Sequence, residues 1–188
     1  MNSLLAKIFL FAGVVAACQP DHREGIFIVH EQSLRVPVSE GVKRWKKSFP
    51  EISWTIEDHC WSGDNCYNVY LNDEMNKRVT YVDGKRYASS GFTRIVTEDL
   101  TLQCHAEIYI ATRAYKYGEL YLTDVVTHEI GHILLGGRDG HTKVKNDVMV
   151  FVDDELSGHS CITEATINNY NEIYICEGGT WDCNETCW

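Results

Sequence analysis

From Ile26 to Ile110 hydrophobic and polar positions alternate in short runs, with one helical interval, and a longer helical stretch then follows. Ile26 to His30 is a strand candidate. From Ser39 to Phe49, the residues Val42, Trp45 and Phe49 recur at helical spacing, which predicts a helix capped by Ser39 and stopped by Pro50. Ile52-Ser53-Trp54-Thr55-Ile56 has the period of a half-buried strand. Tyr67 to Leu71 and Val79 to Val82 are further strands joined by the polar run Asn72 to Lys77, and Asp83-Gly84 marks a turn. Ala106-Glu107-Ile108-Tyr109-Ile110 alternates again. Tyr115 to Leu120 reads as a connection into a second helix starting near Thr123 or Asp124, with Leu122, Val126, Ile130, Ile133 and Leu134 along one side. A last helix of about 14 residues is expected between Cys161 and Cys176. No internal repeat or low-complexity tract breaks the order. Strand, helix, several strands, helix and a loop-rich C-terminal part predict an α+β domain, a twisted mixed sheet backed by the second helix.

The other side of that second helix carries the chemistry. His128-Glu129-Ile130-Gly131-His132 places two imidazoles one turn apart, about 40° from each other around the axis. Such a pair can hold one Zn²⁺ ion, with Glu129 placed to take a proton from water. A catalytic zinc site needs a third protein ligand and an open position. Gly136-Gly137 can end the helix and fold the chain back. Arg138-Asp139-Gly140-His141 follows, so His141 is the candidate and Asp139 its main competitor. Glu155 lies at a distance suited to a ligand on a later helix, but no supporting acid follows it at helical spacing.

The N-terminus sets the compartment. Met1 to Lys7 carries one positive charge, Ile8 to Val15 is mostly apolar, and Val15-Ala16-Ala17-Cys18 supplies small residues for cleavage. This is the three-part form of a secretory signal and is too short for a stable membrane span. The four residues ending in Cys18 resemble a bacterial lipoprotein processing box, which implies lipidation of Cys18 and tethering of an exported chain. Gln19 follows, where an aspartate would favour inner-membrane retention in diderm lipoproteins. The expected location is therefore the cell envelope, at the outer membrane in a diderm. The expected organisation is a signal peptide over 1–17, an anchor and tether over 18–25, a catalytic domain over 26–174 and a cysteine-rich tail over 175–188.

Composition narrows the classes. A chain with 44% hydrophobic and 23% charged residues is globular rather than disordered. A net charge of −10 makes nucleic acid a poor partner. No second apolar stretch is long enough to cross a bilayer, and a monomer is expected. Eight cysteines in an exported chain suggest disulfides. Cys60 and Cys66 flank the turn-rich Trp61-Ser62-Gly63-Asp64-Asn65, so a local bridge is expected there. Cys161 and Cys176 would be roughly 20 Å apart across their helix and should not bond. The pairing of Cys104, Cys161, Cys176, Cys183 and Cys187 stays open. Asp153-Asp154-Glu155 reads as a solvated acidic turn, and Trp181 and Trp188 as packing for the tail.

Around the two histidines the chain resembles the metzincin metalloproteases, their matrixin-like branch in particular. The alternating strand Ala106 to Ile110, the run Thr127 to His132, Gly140-His141 with Met149 eight residues on, and Ile162 to Tyr170 carry the resemblance. It covers residues 105–174 in motif and the earlier part in architecture. Met149, within Asp147-Val148-Met149, is similar to the methionine turn beneath the metal. The family places its third histidine six residues after the second, and a glycine three residues after it. Here Arg138 and Leu135 stand at those positions, so His141 fits through a turn longer by three residues. Phe151 stands where astacin-like and serralysin-like members have a tyrosine, and lacks its hydroxyl. The resemblance implies zinc-dependent hydrolysis of peptide bonds, with His128, His132 and His141 as ligands, Glu129 as acid–base and pocket walls around Val150 to Leu156. The stretch after Cys18 is too short for a cysteine-bearing latency segment. The competing reading is a non-catalytic surface lipoprotein with a structural zinc.

Overall fold

The computed structural model describes residues 22–82, 84–97, 104–135, 140–150 and 160–174. In chain order its elements are β1 (Glu24–Val29), α1 (Arg35–Ser48), β2 (Ser53–Glu57), β3 (Cys66–Asn72), β4 (Val79–Val82), β5 (Lys85–Ala88), β6 (Gly91–Thr97), β7 (Cys104–Ala111), α2 (Glu119–Leu134) and α3 (Glu164–Tyr174). A five-stranded sheet runs in the order β2-β1-β3-β7-β6, and β4 and β5 form a separate two-stranded hairpin. The pairings β1 with β2, β1 with β3 and β3 with β7 are parallel. Within the five-stranded sheet only β6 runs antiparallel, on the edge beside β7, with Thr93 opposite Ile108. The fold is thus mixed α/β with a mostly parallel sheet, compatible with the expected α+β class.

Strand alternation becomes a two-faced sheet. Phe27, Val29, Tyr67, Val69, Ala106, Ile108 and Ile110 are all buried, sharing one core with Val38, Val42 and Trp45 of α1 and Leu122, Val126 and Ile130 of α2. Each large apolar side chain leaving water is worth roughly 1.5–3 kcal/mol, more than the ~1 kcal/mol that strand propensities span. The face pattern therefore sets the register, since a slip of one residue would turn that whole row outward. The Trp45 indole also donates to the Thr127 carbonyl oxygen at 2.8 Å, fixing α1 against α2.

Several boundaries differ from expectation. α1 begins at Arg35 rather than after Ser39, because a 3₁₀ turn at Gln32–Leu34 runs straight into it. Pro37 falls in its first turn, where amides have no helical acceptor anyway. α2 begins at Glu119, not near Thr123: Thr112–Tyr117 is a 3₁₀ turn, and Gly118, with φ of 95°, opens the helix. Leu120 there is 54% exposed, so its first turn lacks an apolar signature. Burial on α2 extends beyond its apolar side: Thr123, Asp124 and Thr127 are buried too. Their polar groups are satisfied. The two hydroxyls donate one turn back, to Glu119 and Thr123 carbonyls. Asp124 accepts from Arg44 at 2.6 Å and from the Ser160 amide at 3.0 Å.

Strands β5 and β6 were not expected. Lys-Arg-Tyr-Ala of β5 is mostly exposed and has no apolar period, and it forms by pairing with β4. The expected Cys60–Cys66 disulfide is present. Cys161 is buried ahead of α3, while Cys176 and the rest of the tail lie outside the described residues, as do Cys18, Asp139, Phe151 and 152–156. Among the described residues no helix is long and apolar enough to cross a membrane.

Candidate metal centre

The last turns of α2 bring His128 and His132 to one point. Their Nε2 atoms stand 3.1 Å apart. Two nitrogens each at 2.0–2.1 Å from a tetrahedral ion would be roughly 3.3 Å apart, so this spacing suits a shared metal. His128 is buried at the floor, and its Nδ1 faces the Val148 carbonyl oxygen at 2.7 Å. A carbonyl only accepts, so Nδ1 carries the proton and the lone pair sits on Nε2, aimed at His132.

His141 joins them from beyond α2. Its ring centroid lies 5.2 Å from that of His128 and 4.7 Å from that of His132. The three residues offer ligand atoms all within 4.8 Å of one another, and together they could hold a metal ion. Three imidazoles suit zinc, copper, iron or nickel. The position of His141 is set from outside the helix. The Asn169 amide on α3 donates to the Gly140 carbonyl oxygen at 3.1 Å, and the buried Leu135 side chain packs against the Gly140 backbone. Leu135 thus stands inside the fold.

Met149 lies fully buried under the same turn. A Cβ on Gly131 would fall 2.3 Å from the Met149 sulfur and 2.6 Å from the Trp45 ring, so a side chain just before His132 would have to displace both. The segment around Met149 is pinned by Asp147, also fully buried. Its carboxylate accepts from the Met149 amide at 2.8 Å, from the Thr166 hydroxyl at 2.8 Å, and from Thr163. Through Val148 that network also holds the carbonyl that orients His128.

Glu129 turns toward the edge strand and is buried. The Thr93 hydroxyl lies 2.7 Å from Glu129 Oε2 and 2.9 Å from the Glu129 carbonyl oxygen, donating its one proton between them. A Cβ on Gly91 would sit 2.4 Å from Oε1, so this strand position is open only to glycine while the carboxylate stays put. Sequence reasoning missed Gly91 and Thr93 because it assigned no strand there. The β-branched run Thr93, Ile95, Val96 and Thr97 is the signal that would have found it.

Burial pushes His128 down to about 4 from its ordinary 6.5, helped by the neighbouring His141 and opposed by the Val148 carbonyl and Asp147. Burial also holds His132 well below 6.5, with His128 and His141 acting the same way. His128 and His132 therefore stay neutral and ready to bind a cation at neutral pH. An unfolded chain protonates His128 near pH 6.5, while the fold resists that proton down to about pH 4. Stability of the metal-free protein is fully present above about pH 6.5 and falls as pH drops toward about 4, by on the order of 3 kcal/mol for His128. Thermal melting of chelated protein at about pH 7 and about pH 5 checks the sign: the melting temperature should be lower at the acid pH, and by less in His128→Gln.

Comparison with known protein families and with curated proteins finds no match for this chain.

Proposed function

We propose that this chain is an exported, lipid-tethered zinc endopeptidase of metzincin-like fold, with Zn²⁺ held by His128, His132 and His141. The observation that carries the reading is the convergence of those three imidazoles beside a buried glutamate fixed to an edge strand. Zinc held there would supply Lewis acidity toward a carbonyl and acidify water. The residues do the rest. Glu129 accepts a proton from the attacking water and returns it to the leaving amine. Thr93 keeps the carboxylate at the edge of the sheet, where a substrate would lie. An extended peptide pairing with the outer edge of β6 would gain backbone hydrogen bonds without demanding a particular sequence. Met149 gives the helix turn between the ligands an apolar floor, and the lipid on Cys18 confines the enzyme to the envelope.

Purified protein, stripped of metal and then restored with zinc, should cleave an unfolded general protein substrate only after restoration. Bound zinc with no turnover would instead favour the structural-zinc lipoprotein. A finer check concerns Thr93. Thr93→Val removes the hydrogen bond to Glu129, and kcat should fall roughly tenfold with KM little changed. Thr93→Ser keeps the hydroxyl and should restore most of the rate. Equal kcat in Thr93→Val and the parent would dismiss the positioning role.

A further inference from the structure

We propose that the disulfide-closed loop from Cys60 to Cys66 is a membrane-contacting element, with Trp61 entering the interfacial layer of the bilayer to which Cys18 tethers the chain. The inference rests on the lipid-anchor reading given above.

Trp61 is 68% exposed, whereas Trp45 and Trp54 are buried in the core. Leaving so large an apolar ring in water is unfavourable, and indole favours the boundary between headgroups and acyl chains. The loop presents it in a fixed way. The Cys60–Cys66 bridge closes the base, the Asp64 amide donates to the Trp61 carbonyl oxygen at 3.1 Å, and the His59 ring stands edge-on at 4.6 Å. A side chain held in advance loses little freedom on inserting.

The loop also sits where the tether meets the domain. Asn65 is bolted to the first strand: its side chain donates to the Glu24 carbonyl oxygen at 2.9 Å, and its own carbonyl accepts from the Ile26 amide at 2.8 Å. The chain is already fixed at the buried His22, whose carbonyl accepts from the Trp54 indole at 2.7 Å. From Cys18 to His22 is four residues, which reach at most roughly 14 Å. The polar layer of a bilayer leaflet is itself about 5–7 Å thick. An anchored Cys18 thus keeps the start of β1, and the loop bound to it, at the membrane surface. Insertion becomes an event within one molecule, so a single ring suffices.

Charge selects the surface. Glu24 and Glu57 border the loop and Asp64 lies within it, three carboxylates against Arg23 alone among the described residues, while Asp58 pairs with Arg35. Anionic lipid is repelled by such a rim, so the fitting surface is zwitterionic.

The test uses the full lipidated chain, purified from membranes and reconstituted in phosphatidylcholine vesicles with brominated acyl chains. Bromine quenches only indoles that reach the lipid. Parent protein should be quenched more than Trp61→Phe, because Trp45 and Trp54 are shielded and Trp181 and Trp188 are common to both. The difference should shrink when half the lipid is phosphatidylglycerol. Equal quenching in the two proteins, with both floating on the vesicles, overturns the proposal. Parent protein that fails to float, like Cys18→Ser, means that the anchor reading has failed and the proposal falls with it.

Discussion

Glu129→Ala is expected to keep its full complement of zinc and to lose about 10²–10⁴-fold in kcat, the range supplied by a positioned acid–base group. The carboxylate points to β6, with Thr93 on Oε2 and Gly91 against Oε1, while the imidazole nitrogens of His128 and His132 meet each other. Proton transfer and metal binding are thus assigned to separate side chains of one helix turn, and deleting one should spare the other. Metal analysis beside a single-turnover assay reads both quantities. Parallel loss of zinc and activity would mean that Glu129 acts as a ligand or as a prop for the site.

His128→Ala should do the reverse and abolish metal binding. His128 is the buried member of the triad, aimed by the Val148 carbonyl, and its depressed basicity keeps it ready to bind. Losing only a hydrogen bond to a metal ligand typically costs 10–100-fold in affinity, so losing the ligand itself should cost well beyond that. Equilibrium dialysis against zinc checks it. Affinity within tenfold of the parent would place the ion elsewhere.

Legibility from sequence followed the physics of each element. The strands over 26–30, 52–56, 67–71 and 106–110 were readable because one face is buried, which forces alternation. Both histidines and Glu129 were readable because helical spacing is fixed by geometry. The start of α2 was not, since Gly118 opens it and the exposed Leu120 gives no apolar signal. Strand β5 was hidden because its side chains are mostly exposed and pairing alone forms it. His141 was one of two open choices. What places it is Asn169 on α3, 29 residues from the Gly140 carbonyl it holds, a contact that no local pattern encodes. Thr93 meets Glu129 across 36 residues for the same kind of reason. Gly131 was in plain view within the motif, yet its purpose depends on Met149 and Trp45 arriving from other segments.

The most direct measurement is an anomalous difference map at the zinc edge, from crystals of the protein grown with zinc. One peak should lie about 2.0–2.1 Å from Nε2 of His128, Nε2 of His132 and a ring nitrogen of His141, with the fourth position open to solvent. No peak between those rings, or a peak whose fourth position is closed by Asp139, would contradict a hydrolytic metal centre.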